Sequence, residues 1–380
     1  MSLTTASPAN ENCIQHVHVL KSPPTGEQNS HYHHTTTSGF YTTDSGPLAS
    51  TELPSSEPDV TPQDPAQSYH PFSPAVIAPL MPASVFGVLA RLGLQALATY
   101  DGKSVFPLAF PQSLGCLIIG VALPLKDVIN GYHGPLYTAI TTGFCGSLTT
   151  FSGWQLDIFD SWINEGQFHR SGLRNVVDAF TKISFTFLIS LASLSFGVHI
   201  GTALLPFIPR TGPLTSAMRR AITVLSIMIY LATFPTYFRL SASFRHQATA
   251  ALLFSFPGTL TRYMLSILLN PRSKLLPVGT LVANELGTSL LALFHVLQGL
   301  PRTVSPNACS ILQGLEDGYC GCLTTVSTFV AEMSALAIGK RWLYATISIV
   351  MGQVLMVLIL GSTVWTGNVS AQVRCTFVDT

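Results

Sequence analysis

Hydrophobic residues in this chain fall into long blocks that begin near residue 75. Each block is long enough to cross a bilayer of about 30 Å, which takes about 20 helical residues. No stretch alternates polar and apolar residues with the period of two that a membrane β-barrel shows. The pattern predicts nine transmembrane helices, near residues 75–100, 105–125, 135–162, 176–207, 217–240, 249–269, 275–298, 311–338 and 343–365.

The composition also indicates a membrane protein. Charged residues make up 10% of the 380-residue chain and hydrophobic residues 47%, whereas an ordinary globular protein is about 25% charged. The formal net charge of +1 lacks the basic excess typical of nucleic-acid-binding proteins. The seven cysteines show no spacing that indicates a disulfide framework. We therefore expect a lipid bilayer, and no nucleic acid, as the partner.

The first segment, residues 1–74, is rich in Ser, Thr, Pro and His and has no apolar period. Such a segment buries too little surface to offset the entropy of ordering it, so we expect a disordered cytosolic tail. It lacks the apolar core of about 7–15 residues that a signal peptide requires. His31, His33 and His34 could bind a metal ion, but acids and cysteines at ligand spacing are missing, which favours a solvated tail.

The orientation depends on Lys and Arg in the short loops. With the N-terminus inside, the inner loops hold eight such residues and the outer segments seven, a difference too small to decide. The tripeptide Asn368-Val369-Ser370 is a glycosylation sequon, and nine spans would place it outside. We predict a cytosolic N-terminus and an external C-terminus.

The chain contains an internal repeat. The sequence GFCGSLTTFS at residues 143–152 returns as GYCGCLTTVS at 318–327, with an offset of 175 residues. Upstream, GVLAR ending at Arg91 matches GTLTR ending at Arg262, with an offset of 171. Such markers, in one order and at a nearly constant offset, indicate a duplicated unit.

A third marker, Gln112 against Asn284, lies between the other two at an offset of 172. The four helices of each unit leave one extra helix to join the units. The predicted organisation is a tail at 1–74, a first repeat at 75–210, a linker helix at 211–243, a second repeat at 244–366 and a C-terminal tail at 367–380.

A single linker helix inverts the second repeat, because a fifth span carries the chain across the bilayer. Inverted repeats place their site near the midplane, where glycine-interrupted segments meet. The glycines of 146–152 and 321–327 weaken a helix, and the hydroxyls replace lost backbone bonds. Close helix packing explains one such run, but two matched runs favour a break. We predict an all-α membrane protein with nine transmembrane helices in two inverted four-helix repeats, the third helix of each repeat being broken.

Several polar residues lie inside predicted spans. Arg91 and Arg262 are costly in lipid and indicate function, unless they snorkel to an interface. Asn284 offers an amide donor, although a buried Asn more often joins helices than binds a ligand. Asp157 and Glu332 occupy matching positions of the two repeats. They serve either a proton relay or only a contact with water at a span end.

Signatures of soluble enzymes are missing from the sequence. The chain has no GxSxG, HExxH, Walker A or dinucleotide-binding motif. Cys320-Gly321-Cys322 lacks partner ligands at zinc spacing. We expect neither an enzyme nor an organic cofactor.

The paired G-[FY]-C-G-x-L-T-T-x-S stretches, the G-x-L-x-R first helices and GTLVAN at 279–284 resemble the CrcB/Fluc family of fluoride channels. Two repeats around a linker are similar to its eukaryotic tandem form, the FEX fluoride exporters. The resemblance covers about residues 75–366 and implies a monomer that acts as an internal pseudo-dimer. It also implies a structural sodium ion on the backbone carbonyls of Gly146, Thr149, Gly321 and Thr324.

The resemblance further implies a fluoride pore lined by an Asn, aromatic rings and hydroxyl groups. On this chain, the lining residues are Asn284, Phe151, Phe329, Tyr344, Ser348, Ser327 and Thr325. Amide and hydroxyl donors, with the positive edges of aromatic rings, can replace the water around a small anion. Arg91 and Arg262 match the first-helix Arg of the family and are expected to have vestibule or structural roles.

The second pore that the resemblance implies differs at its matching positions. Val326 and Trp154 stand at the positions of its two phenylalanine rings, and Gln112 replaces its Asn. Its fourth helix presents Ser184 and Leu188 by our alignment. We therefore predict one conducting pore and one degenerate pore.

The function implied is a passive, selective fluoride channel that lowers cytosolic fluoride across the plasma membrane. A negative-inside potential drives an anion outward by about 2.3 kcal/mol per 100 mV, so no other energy source is needed. One alternative is a proton- or sodium-coupled transporter of another small anion that titrates Glu285 or Glu332. Another is a non-transporting membrane scaffold whose glycines and hydroxyls serve packing alone.

Overall fold

The computed structural model describes residues 69–99, 105–209, 212–239, 249–301, 305–367 and 369. Helices make up the regular structure of these residues, which contain no β-strand, so the all-α prediction is confirmed. The histidines at 31, 33 and 34 and the sequon residue Asn368 lie outside the described residues.

The first half has a long first helix, a short second, a broken third and a long fourth. Its α-helices are α1 (Pro74–Leu97), α2 (Ala109–Ala122), α3 (Lys126–Thr138), α4 (Gly146–Leu148), α5 (Phe151–Ile163) and α6 (Gly172–Leu204). A π-helical turn at Ala139–Cys145 joins α3 to α4. The break in the third helix therefore lies between α4 and α5.

The linker comes next, and the second half repeats the order of helices with a longer second helix of 21 residues. Their α-helices are α7 (Ser216–Arg239), the linker, then α8 (Ala250–Leu269), α9 (Val278–Gln298), α10 (Pro306–Gly314), α11 (Gly321–Leu323), α12 (Ser327–Ala335), α13 (Ile338–Met356) and α14 (Ser362–Trp365). π-helical turns at Leu315–Cys320 and Val357–Gly361 join α10 to α11 and α13 to α14. The break in this half lies between α11 and α12.

Fewer helices meet the requirements for a membrane span than the sequence predicts. Among the described residues, six are long and apolar enough, or seven if α2 and the bent segment after it count as one. The difference arises because α2 has only 14 residues and both third helices are interrupted. The chain is a multi-span membrane protein.

Glycines bring neighbouring helices into backbone contact. A Cβ at Gly120 of α2 would collide with the Leu194 carbonyl of α6, and one at Gly197 would collide with the Leu117 carbonyl. Contact of this kind is the usual role of small residues between membrane helices. It holds α6, the fourth helix of the first half, against α2. The opposite face of α6, with Leu188 and Phe196, is exposed.

Candidate functional site

Both third helices stop at the first Thr of the repeated motif. Thr149 is extended, with φ −93° and ψ 151°, and Thr324 matches it with φ −94° and ψ 155°. The chain becomes helical again at Phe151 and at Ser327. The predicted breaks are therefore present, at matching positions of the two halves.

Each break is stabilised by a hydroxyl from the other half. The Thr324 Oγ1 accepts hydrogen bonds from the backbone N–H groups of Phe151 and Ser152, both at 3.1 Å. In return, the Thr149 Oγ1 accepts from the N–H of Ser327 at 3.1 Å. Free N–H groups at a helix start need such acceptors. The two halves thus cap each other's resumed helices.

A buried group of hydroxyls fills the space where the breaks cross. Thr149 and Thr325 are 3.1 Å apart at their Oγ1 atoms, as are Thr150 and Thr324. Thr149 also donates to the Ser327 Oγ at 3.0 Å. Two predicted pore hydroxyls, Thr325 and Ser327, therefore belong to the crossing itself.

The two first-helix arginines are buried against the breaks. The Arg91 Nη1 donates to the Ser147 carbonyl at 2.9 Å and to the Gly321 carbonyl at 2.7 Å. The same guanidinium also donates to the carbonyl of Asp317. Because Arg91 is 2% exposed and Arg262 1%, neither snorkels to the surface, and that alternative is wrong.

Arg262 repeats this arrangement from the second half. Its Nε donates to the Cys322 carbonyl at 2.9 Å and its Nη2 to the Thr142 carbonyl at 2.8 Å. A Cβ at Gly146 would collide with the Arg262 guanidinium, just as one at Gly321 would collide with that of Arg91. The motif glycines therefore leave room for an arginine from the opposite half.

The four carbonyl groups proposed for sodium belong to residues that are buried at this crossing: Gly146, Thr149, Gly321 and Thr324. Carbonyl oxygens suit a hard cation. One of them, the Gly321 oxygen, already accepts from Arg91. A carbonyl oxygen has two lone pairs, so this bond leaves one for a cation and the residues fit the ion.

The three predicted pore aromatics form one continuous row. The ring centroids of Phe151 and Phe329 are 5.8 Å apart, and those of Phe329 and Tyr344 are 5.0 Å apart. All three side chains are fully buried. The row joins a ring from the first half to two from the second. Ser348, one turn along α13 from Tyr344, is also buried, and its Oγ has no partner among the described residues.

Asn284 and Gln112 bind equivalent residues of the breaks but differ in what they leave free. The Asn284 Nδ2 donates to the Thr325 carbonyl at 3.2 Å, and its Oδ1 accepts from the Thr325 N–H at 2.8 Å. The Gln112 Nε2 donates to the Thr150 carbonyl at 2.6 Å, while its Oε1 is unpartnered within the described part of the chain. Both the nitrogen and the oxygen of the Asn284 amide are therefore hydrogen-bonded, whereas in the described part of the chain only the nitrogen of the Gln112 amide is.

The fourth-helix alignment of the first half is wrong by two residues. Ser184 is exposed and Leu188 is 62% exposed, so both face away from the crossing. Thr186 faces inward instead and is buried, as is Ser190 one turn further along α6. The contacts of the matched acids give the direction of the shift, because Asp157 binds Lys182 where Glu332 binds Tyr344. Lys182 therefore matches Tyr344, and Thr186, one turn later, matches Ser348.

The two acids of the rival transporter hypothesis have contrasting surroundings. Glu332 accepts hydrogen bonds from Thr280 at 2.7 Å, Asn270 at 3.2 Å and Tyr344 at 3.1 Å. Glu285 is buried, and neither of its carboxylate oxygens has a partner among the described residues. Sequence reasoning missed Thr280 and Asn270, although their polar side chains near span ends were a usable signal.

Comparison with known proteins places these features in a family. The family model described as CrcB-like protein, Camphor Resistance (CrcB), matches the chain twice, at residues 79–198 and 249–362. Fluoride export protein 1 of Neurospora crassa is 32% identical over 353 residues, 77% of this chain and 67% of the relative. Fluoride export protein 1 of Candida albicans is 32% identical over 330 residues, 80% of this chain and 82% of the relative.

A shorter bacterial relative matches one stretch of the chain. The fluoride-specific ion channel FluC of Escherichia fergusonii is 34% identical over 92 residues, 24% of this chain and 70% of the relative. No solved structure matches the chain. Because the family model matches both halves and covers more than half of the residues, the chain belongs to the CrcB family in its tandem-repeat form.

Proposed function

We propose that the protein is a passive, selective fluoride channel that exports fluoride from the cell. The observation that carries this proposal is the buried row of Phe151, Phe329 and Tyr344, which reaches the crossing where Asn284 binds Thr325. The names of the fungal and bacterial relatives, fluoride export protein and fluoride-specific ion channel, support it.

The side chains along this row can replace the water around fluoride. Asn284 uses one of its two Nδ2 protons on Thr325, which leaves the other for an anion. The Ser348 hydroxyl is buried without a partner in the described part of the protein and can donate likewise. The ring edges of Phe151 and Phe329 carry partial positive charge. These donors are uncharged, so they hold fluoride weakly enough for it to leave.

The topology that we propose has nine spans, with two inverted four-helix repeats around α7. The reciprocal contacts of Arg91 and Arg262 support it, because a two-fold relation between the halves produces such a pattern. With a sodium ion on the carbonyls of Gly146, Thr149, Gly321 and Thr324, the two breaks would be tied together. When bound, the ion supplies positive charge at the crossing.

We place the protein in the plasma membrane as a monomer, with the N-terminus inside and the C-terminus outside. Cys309, near the start of α10, is disulfide-bonded, which suits an oxidising compartment. Seven spans before this point would put it outside. In this orientation, the membrane potential drives fluoride outward without a coupled ion.

Fluoride release from liposomes that contain the pure protein tests the proposal. A potassium ionophore sets the potential, no proton gradient is imposed, and a fluoride electrode reads release. We expect rapid release of fluoride but not of chloride. A protein that is folded but releases no fluoride would contradict a channel and leave the coupled-transporter and scaffold alternatives.

The coupled-transporter alternative rests on the carboxylate of Glu285, which no described residue contacts by a hydrogen bond, and on the buried Glu332. A coupled exchanger would lose transport when its titrating acid becomes an amide, and it would need an opposing ion gradient. We expect Glu285→Gln and Glu332→Gln to retain fluoride release without a proton gradient. Release that requires a proton or sodium gradient would support the exchanger instead.

A further inference from the structure

The acids at matching positions of the two repeats bind different groups on the fourth helices. The Glu332 Oε2 accepts a hydrogen bond from the Tyr344 hydroxyl at 3.1 Å. The Asp157 Oδ1 instead accepts from the Lys182 Nζ at 2.8 Å, and the Asp157 carbonyl accepts from the same Nζ at 3.0 Å. A lysine thus occupies, in the first half, the place of the pore tyrosine.

Trp154 strengthens this difference. Its Nε1 donates to the Lys182 carbonyl at 3.2 Å, so the indole bridges α5 and α6 and is fully buried. The matching residue of the second half, Phe329, has no hydrogen-bond donor and makes an edge-to-face contact with Tyr344 instead. The backbone and the side chain of Lys182 are therefore both held to α5.

The ion pair lines a cavity and lies one helical turn from a buried hydroxyl group. A cavity of about 570 Å³ is lined by Asp157, Lys182, Asp160 and the largely exposed Phe168. One turn beyond Lys182 along α6 lies Thr186, which is buried. Thr186 stands in the first half where Ser348 stands in the second. The degenerate pore at Gln112, Val326 and Trp154 is called the second pathway. An anion that followed it would have to pass the ion pair.

We propose that the Asp157–Lys182 ion pair closes the second pathway. This pathway then fails to conduct because an ion pair, here called the lock, blocks it, and not only because its two phenylalanine rings are absent. This inference rests on the proposed function. Side-chain exposures of 14% for Lys182 and 19% for Asp157 make the pair largely desolvated, and separating such a pair is costly. A passing anion would separate it, and the freed ammonium would then hold the anion tightly.

The test restores the lining of the second pathway with and without the lock. The background is Asn284→Asp, which removes conduction through the first pathway, the pore at Asn284, Phe151 and Phe329. In this background, Gln112→Asn, Val326→Phe and Trp154→Phe restore the lining of the second pathway. We expect this variant to release no fluoride from liposomes. Adding Lys182→Tyr should raise release at least tenfold. Release while Lys182 is present, or no release after its replacement, would overturn the proposal.

The same substitutions with Asn284 intact control for folding, because the first pathway should still release fluoride. Failure of the unaltered protein to release fluoride would contradict the proposed function itself, which keeps the two failures distinct.

A second measurement serves if the multiple variant does not fold. The rate at which a charged thiol reagent modifies Thr186→Cys reports water access past Lys182. We expect Lys182→Ala to raise this rate at least tenfold, while the exposed Thr181→Cys reacts at the same rate in both backgrounds. Equal rates at position 186 would overturn the proposal.

Discussion

The two halves of this protein agree in their backbone and differ in the side chains beside it. Thr149 and Thr324 end their helices with nearly the same dihedral angles, and Arg91 and Arg262 bind matching carbonyls. The lining residues diverge, with Asn284 against Gln112 as the example at the crossing. A duplicated frame therefore constrains the backbone at both breaks, and the difference in lining is what we expect if only one pathway conducts.

The largest expected difference between the halves is at the amide positions. Asn284→Asp puts a carboxylate where an anion must pass, and two unit charges about 4 Å apart repel by about 4 kcal/mol near a protein surface. We expect fluoride release from liposomes to fall at least about 100-fold. Gln112→Ala is the matched control and should leave release nearly unchanged. Equal losses at the two positions would contradict a single conducting pathway.

The shared frame should respond alike in both halves. Gly321→Ala and Gly146→Ala each push a methyl group into a buried arginine, and overpacking of this kind costs about 1–3 kcal/mol. We expect both variants to lower the thermal unfolding temperature in detergent, followed by tryptophan fluorescence. The control is Gly339→Ala, where the added methyl group meets no neighbour. A loss confined to one motif glycine would show that the frame is not equivalent in the two halves.

Removing the hydroxyl caps of the two resumed helices should lower the stability of the protein by a smaller amount, and by different amounts for Thr324 and Thr149. Thr324→Val removes the acceptor of two backbone N–H groups, whereas Thr149→Val removes the acceptor of one. Loss of a cap costs about 1 kcal/mol, so Thr324→Val should destabilise the protein more. Chemical denaturation of the two variants measures the order, and the reverse order would contradict capping by Thr324.

The smallest effect concerns the fourth-helix hydroxyls. Ser348→Ala removes a buried donor that has no partner among the described residues, and a hydrogen bond contributes about 1 kcal/mol. We expect fluoride release to slow by a few fold. Thr186→Val, the matching change in the first half, should have no effect on release. A slower rate in both variants would indicate that both pathways conduct.

Several features of the fold could be predicted from the sequence because they depend on local chemistry. The helix breaks occur at Thr149 and Thr324, where glycines and hydroxyls disfavour a continuous helix. The family and the duplication followed from the same motif and are confirmed by the two matches at 79–198 and 249–362. The domain boundaries and the roles of the pore residues remain predictions.

The register of α6 could not be predicted in the same way. Ser184 and Thr186 both carry hydroxyls, and only packing decides which of them faces inward. The α6 helix is 33 residues long and has large apolar residues both on its exposed face, such as Leu188 and Phe196, and on its buried face, such as Leu194. Its sequence therefore contains little information about its rotation. The contact of Lys182 with Asp157 resolved the alignment.

By itself, the sequence determined the membrane class, the internal repeat and the positions of the two breaks, since each follows from residue type and spacing along the chain. Only the tertiary structure decided that Arg91 reaches Gly321 of the opposite half, that Thr324 caps the helix at Phe151, and that Lys182 binds Asp157. The physical reason is that a buried donor binds whichever acceptor the packing brings near it, and the packing of the two halves joins residues more than 150 positions apart.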